Sequence, residues 1–382
     1  MYRSEFLPFL QFHLRICKIL KCVYFEFDPK SGRLVKCKSH RHVRMFKRQC
    51  LLSVLYCSLF GLNLCFGPLT NLEKLQGFVF FIVYLTASII RWNYKLGSAQ
   101  SQIIHIFLDY EAEIMLDLPH LPPSLERKAV RLFIQFGEVA SPMVPILVFL
   151  LLRVMPCTPP FLLSMLPGCQ NVETTLLRYL GRLAVHIFEA WMCFHIMYSG
   201  SAWLLFIFCV GIIFVLNFLQ TLERLVKIQS DLHGLLIIQL YRYAQILDKS
   251  FNSFLSEQII PAIMFCNPVI EIFSLFVCIS YVNEVPMPGF LVFPFLLVAS
   301  GVINIVIITL ASRIYGLSRH LLTSLERMTL LKRSKLMRRK LKACNKLKIE
   351  FGSNFIDNGT PVVLQNFCIN QTLSLILLKD KL

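Results

Sequence analysis

Apolar residues in this chain gather into long blocks separated by short polar breaks. Seven blocks are too long for strands and approach the roughly 20 residues a helix needs to cross a bilayer. They lie near 51–69, 76–92, 134–155, 198–219, 258–283, 289–311 and 361–378. The pattern predicts an all-α, polytopic membrane protein with seven transmembrane helices. Arg91 and Trp92 end the second block as interfacial anchors, and Pro142 and Pro145 kink the third. A polar loop at 109–117 and a breaker at 118–124 separate those two blocks.

The fourth block is the most unusual. From Leu180 to Leu222 there is no proline, and the only fixed charges are Arg182 and Glu189. As one helix it would extend about 64 Å at 1.5 Å per residue. It must either break at Ser199-Gly200-Ser201 or run well beyond a bilayer. Residues 220–257 continue as an amphipathic helical extension, with Leu222, Leu225, Val226 and Ile228 at helical spacing. The chain therefore divides into an arm (1–50), helices one to four (51–219), the extension (220–257), helices five and six (258–311), a basic loop (312–358), and helix seven with a short tail (359–382). No internal repeat is visible, which leaves an inverted-repeat transporter unsupported.

Charge fixes the orientation. Residues 1–50 carry 12 Lys and Arg against 3 acids, and residues 312–358 carry 12 against 3. Basic residues beside spans stay in the cytoplasm. Both segments are expected inside, with six crossings between them and a seventh after. The N-terminus is then cytoplasmic and the C-terminus extracellular, opposite to a G-protein-coupled receptor. Composition agrees with a membrane protein: 56% hydrophobic, 16% charged, mean hydropathy +0.62. The net charge of +17 sits in loops beside spans, so anionic membrane lipids, not nucleic acid, are the expected partner. Arg3, Glu5, Arg15 and Lys18 interrupt any signal-peptide core. The apolar start at Phe6, Leu7, Phe9 and Leu10 is expected on the membrane surface.

Little enzymatic chemistry is visible. There is no GxxxxGK[ST], HExxH, CxxC or GxSxG, and the nine His lack metal-ligand spacing. No catalytic residue, metal or cofactor is expected. Of 14 Cys, only Cys157 and Cys169 fall in an outside loop, either as a disulfide or as two free thiols. The acceptor patterns at Asn358 and Asn370 fall inside and within a span, so neither is expected to carry glycan.

Polar residues within spans are informative, because burying them is costly. Glu271 sits mid-span, and a tight turn makes its helix a neighbour of the next, which carries Asn304. The favoured role for Glu271 is a satisfied interior acid bonded to Asn304; the other is an ion-pathway or packing-switch carboxylate. Glu138 is expected to reach water near the cytoplasmic end of its helix, and Glu189 to sit at the outer interface. The last helix holds Gln365, Asn366, Cys368, Asn370, Gln371, Thr372 and Ser374. Gln365, Cys368 or Ile369, Thr372 and Ile376 form a stripe that either lines water in a multi-subunit pore or packs within one subunit.

Two segments, QLYRYAQILDKSFNSFLSEQIIPAI (239–263) and ACNKLKIEFGSNFIDNGTPVVLQNFCINQTLSLILL (343–378), together with the inverted seven-helix plan, resemble the insect and arthropod chemoreceptor superfamily of gustatory and odorant receptors, gustatory-type members above all. The family's last helix reads Thr-Tyr, five apolar residues, Gln-Phe. Here Thr372 matches, Ser374–Leu378 fill the middle, Leu373 replaces Tyr, and Lys379 and Asp380 replace Gln-Phe. The resemblance implies a plasma-membrane, ligand-gated, non-selective cation channel for small-molecule tastants or odorants. It implies a homo- or heterotetramer of related subunits with the last helices around the pore. It also implies a ligand pocket in the outer half, for which Phe188, Trp191, Met192, His195 and Tyr198 are the candidates. The competing classes are a seven-helix G-protein-coupled-type receptor, which needs an outside N-terminus, and a small-molecule transporter.

Overall fold

The computed structural model describes residues 2–113, 125–166, 169, 176–228, 234–287, 289–331 and 335–379. The breaker at 118–124 and the residues after Lys379 lie outside them. Among the described residues, seven helices are long and apolar enough to cross a membrane: His40–Phe66, Asn71–Arg91, Leu125–Val154, Leu176–Lys227, Gly234–Ser280, Gly289–Met328 and Thr360–Lys379.

Before them, a π-turn (Tyr2–Phe6) leads into α1 (Leu7–Leu20), followed by the hairpin β1 (Phe25–Asp28) and β2 (Arg33–Lys36). Then come α2 (His40–Phe66), α3 (Asn71–Arg91), α4 (Ala99–Glu113) and α5 (Leu125–Val154). The fourth long helix joins α6 (Leu176–Trp203) to α7 (Val210–Ile228) through a π-segment. The fifth joins α8 (Gly234–Phe254) to α9 (Ile260–Ser280), and the sixth α10 (Val292–Val302) to α11 (Ile308–Leu331), each again through a π-segment. The short α12 (Lys335–Lys342) and hairpin β3 (Glu350–Phe351), β4 (Asn354–Phe355) precede α13 (Thr360–Lys379).

Local chemistry sets several of these ends. Ser39 Oγ accepts from the His42 amide at the start of α2. At α3, Thr70 and Glu73 form a reciprocal capping box, the Glu73 carboxylate accepting from the Thr70 amide at 2.8 Å. Asp357 Oδ1 accepts from the amides of Gly359 and Thr360 and from the Thr360 hydroxyl at the entry to α13. Gly200 lets α6 lie against α3, since a Cβ there would meet the Ala87 carbonyl oxygen at 3.1 Å.

Two expectations change in the structure, and one open alternative is decided. The arm is not a surface segment: Phe6 and Leu10 are fully buried, and His13 on α1 inserts between α5 and α6. His13 Nε2 donates to the Tyr198 carbonyl at 2.7 Å, while Nδ1 meets Glu138 Oε1 at 2.7 Å, so Glu138 is held in the interior rather than in water. Second, the polar loop after α3 contains α4. The alternatives left open for the fourth block are decided for the unbroken helix, which runs through 199–201 from Leu176 to Lys227. Its most apolar window has mean hydropathy 2.7 and is 94% buried by protein, against 11% for α13. Residues 198–219 are apolar on every face, and protein covers them on every face. Here the partners are α1, α4, α8 and α11, which wrap Phe206, Phe208, Phe214 and Phe218 into the largest core of the molecule, at its basic end.

Candidate ligand pocket and pore-facing helix

At the opposite end, α2, α3, α5 and α6 enclose a second core in which a cluster of rings packs against aliphatic and sulfur side chains. Aromatic residues four apart share a helix face. Tyr56 and Phe60 on α2, and Phe80 and Tyr84 on α3, therefore project together. Their rings stand 4.3 Å (Tyr56–Phe60) and 5.4 Å (Phe60–Tyr84) apart. Phe161, from the loop after α5, closes the group edge-on, 5.7 Å from Phe60 and 5.4 Å from Phe80. That loop carries the Cys157–Cys169 disulfide. It is tied to α6 by Glu189, whose Oε1 accepts from the Leu162 amide at 2.7 Å, so Glu189 lies in the interior and not at a surface.

The five pocket candidates separate into two layers. Met192 is fully buried in the ring cluster, and Phe188 and Trp191 pack against it, their rings 5.9 Å apart. His195 and Tyr198 lie one and two turns further on, in a polar layer. Arg91 is 1% exposed and points inward, not toward headgroups; its Nη1 donates to His195 Nδ1 at 2.6 Å. An arginine only donates, so His195 carries its proton on Nε2. Tyr198 stacks on His13 with centroids 4.2 Å apart. These two residues hold α6 to α1 and α3. The rings on α2 and α3 and Phe161 are missing from the sequence-derived pocket; the i, i+4 aromatic pairs Tyr56/Phe60 and Phe80/Tyr84 were the available signal.

Two features suit the cluster to a small guest. Its lining is aromatic and aliphatic, as small-molecule sites usually are. The hydroxyl of Tyr56 and Oε2 of Glu189 are buried without hydrogen-bond partners among the described residues, and the buried Tyr84 hydroxyl has only the weakly bonding Cys193 thiol beside it. Such orphan groups are costly and are satisfied by water or a ligand.

α3 has a second face. Phe78 meets Phe273 of α9 at 4.9 Å, while Val79 and Ile82 pack with Val277, Cys266 and Ile270. α9 in turn carries α13. Glu271, mid-way along α9, accepts from Asn304 Nδ2 at 2.5 Å and from Gln365 Nε2 at 2.6 Å. Asn304 belongs to the π-segment Ile303–Ile307, and its Oδ1 accepts from Asn267 Nδ2 at 2.8 Å. One carboxylate thus joins three helices.

On α13, the stripe expected to line water is mainly the inner face. Cys368 and Thr372 are 1% and 2% exposed, Thr372 Oγ1 donates to the Cys368 carbonyl, and Gln365 is bonded to Glu271. Ile376 is half-buried, and only Ile369 is exposed. The face turned away from the bundle presents Asn366, Asn370 and Ser374, all exposed and spaced i, i+4, i+8. Both stripes have helical spacing, and the packing of Thr372 on Ile272 decides which one faces in. At the far end Lys379 Nζ lies 3.7 Å from the Tyr281 ring centroid and 3.1 Å from Glu284.

This arrangement defines the class of fold: a seven-helix bundle with a cored basic end, an aromatic cluster at the other end, and a peripheral polar helix. The chain is similar to the insect olfactory receptor OR5 from Machilis hrabei in complex with eugenol, with a TM-score of 0.68 at 13% identity over 99% of this chain and 100% of that one. A second structure of OR5 from Machilis hrabei gives a TM-score of 0.63 at 14% identity, covering 97% of each chain. No family model matches the chain, and no curated protein matches it. The fold is shared with these two olfactory receptor structures.

Proposed function

We propose that the protein is a plasma-membrane chemosensory receptor that is itself a ligand-gated cation channel, assembled as a homo- or heterotetramer of related subunits. The observation that carries this reading is α13. It is the least covered of the seven long helices, and it turns two amides and a hydroxyl away from its own subunit. Amide side chains against hydrocarbon are costly, so this face needs water or other subunits. Copies of α13 around an axis supply both.

In this reading the basic end, with the N-terminal arm and the 94% buried part of the fourth helix, is cytoplasmic, and the disulfide-bearing loop is outside. The ligand is a small, mainly apolar molecule, gustatory or olfactory, held by the rings of Tyr56, Phe60, Tyr84, Phe161, Phe188 and Trp191, with a hydroxyl or carbonyl paired to a tyrosine. The fold likeness to a receptor solved with eugenol supports a guest of that size. Ligand binding favours the open state by its higher affinity for it. The shift passes through α3, whose two faces touch the ring cluster and α9.

The test is electrical. Cells expressing the chain, alone or with a related subunit, are challenged with a panel of small aromatic alcohols and phenols in excised patches without GTP. Inward cation currents support the proposal. Responses that need GTP, or none from a protein shown to reach the surface, oppose it.

A further inference from the structure

A cleft of about 1280 Å³ opens at the basic end, between α8, α11 and residues 343–355. Its floor is built rather than incidental. The segment after α12 lies in the valley between the two helices and is fastened through its backbone. The Asn345 carbonyl accepts from Tyr241 Oη at 2.8 Å and from Gln245 Nε2 at 2.9 Å. Asn252 donates to the Lys348 carbonyl at 2.7 Å and accepts from the Glu350 amide at 3.0 Å. The Leu347 amide donates to Ser318 Oγ at 2.8 Å. Backbone groups consumed in this way leave side chains to face the opening.

Those side chains are mostly donors. Arg242, Gln245 and Lys249 stand at i, i+3 and i+7 on α8, and Arg319 and Thr323 line the cleft from α11. Lys346 and Lys348 line it from the floor segment. Lys348 is paired with Glu350 at 2.9 Å, and Lys346 lies over the Tyr315 ring. Arg242, Lys249 and Arg319 are exposed and have no carboxylate partner among the described residues. The lining acids are Asp248, buried in the wall, Glu350, already paired, and Glu326. Three unpaired cations from two helices thus meet over a fixed floor, with amide and hydroxyl donors between them.

We propose that this cleft binds a multiply phosphorylated anion. Guanidinium groups engage phosphate oxygens in pairs, lysine adds a mobile charge, and separated cations reward a ligand whose phosphates are also separated. The volume accommodates a ring bearing several phosphates. Two sources carry this chemistry: the headgroup of a phosphorylated inositol lipid, and a soluble inositol polyphosphate. Ser256, at one end of the cleft, is two residues from Gln258, which bonds the Trp92 carbonyl at the end of α3. Arg242 lies 14 residues further along, about 21 Å at helical rise. The cleft therefore runs from the bilayer-proximal end outward and admits either source. Binding does not depend on conduction by the protein.

The full chain, purified into nanodiscs of neutral lipid, is titrated with soluble inositol hexakisphosphate. Saturable binding is expected, weakened about tenfold or more in Arg242→Gln/Lys249→Gln/Arg319→Gln. The control Lys335→Gln/Arg338→Gln/Arg339→Gln, which removes equal charge from α12, is expected to change it less than about twofold. Hydrogen exchange on the unmutated protein, which requires no variant to fold, is expected to show slowing at 242–256, 315–326 and 343–350. Nanodiscs containing phosphatidylinositol bisphosphate distinguish the source: lipid that displaces the soluble probe identifies the headgroup, and lipid that leaves it bound identifies the soluble anion. Equal loss in both triple variants, slowing confined to 335–342, or no saturable binding because a neighbouring subunit fills the cleft would each overturn the proposal.

Discussion

Gln365 donates its side-chain amide to Glu271 at 2.6 Å, tying the most exposed long helix to the centre of the bundle. The other carboxylate oxygen accepts from Asn304, so the charge is shared between α13 and the π-segment before α11. A hydrogen bond to a buried charge is worth about 1.5–3 kcal/mol. Any rotation of α13 that opens a pore must break this bond or drag α9 with it.

Replacing Gln365 with Leu removes the link while keeping Glu271 paired to Asn304. The expected result is current without ligand, with the open-to-closed ratio raised about tenfold or more if the bond is lost only on opening. Current recorded before ligand addition checks this. Glu271→Leu is expected to cost more, because it strands Asn304 and Gln365 together, and thermal unfolding of the purified protein reads that loss.

The outward stripe predicts which positions meet the permeation path. Cysteines placed singly at Asn366, Asn370 and Ser374 are expected to react with a charged thiol reagent and reduce current. A cysteine at Thr372, and the native Cys368, are expected to remain protected behind α9. Asn370→Lys is expected to lower cation current through charge repulsion in the pore.

The unpartnered Tyr56 hydroxyl, and the Tyr84 hydroxyl set beside the Cys193 thiol, predict a selective loss. Tyr84→Phe and Tyr56→Phe keep the ring packing and remove one polar group each. Hydroxylated ligands are expected to weaken about three- to tenfold at the tyrosine they meet, while their deoxy analogues hold or improve. Dose–response curves for matched pairs of ligands measure it.

His105 on α4 accepts from the Leu34 amide at 3.0 Å and so needs an unprotonated Nε2. Burial, with Arg33 nearby, holds its pKa below the usual 6.5. A depressed pKa means that the folded state favours the neutral ring. The stabilisation is complete above about pH 6.5 and is lost as pH falls toward the folded value. Protection of the amides at 33–36, taken relative to their unstructured exchange rate at each pH, is therefore expected to fall between pH 7 and 5, and His105→Gln to flatten that dependence.

Sequence was most informative where chemistry is local. Span lengths, the tight connection that makes α9 and α10 neighbours, and hence the Glu271–Asn304 pairing were legible from spacing. What failed depends on long-range packing. Hydropathy along residues 198–219 did not reveal that neighbouring helices cover them, because protein and lipid both exclude water. Helical spacing picked out the stripe through Gln365, Cys368 and Thr372 on α13, but not the equally spaced Asn366–Asn370–Ser374 or which of the two α9 would cover. The pairing of His13 with Glu138 joins residues 125 apart in the chain, and no local pattern announces it. Phe161 entered the ring cluster from a loop whose prolines marked only irregularity.

A channel of this fold requires copies of α13 to surround a water-filled axis. Determining the structure of the full-length protein as an assembly in nanodiscs tests it directly. Four subunits are expected, with Asn366, Asn370 and Ser374 facing a common axis and Gln365 on Glu271 within each subunit. A monomer, or an assembly with that face against lipid or buried in dry packing, would contradict it.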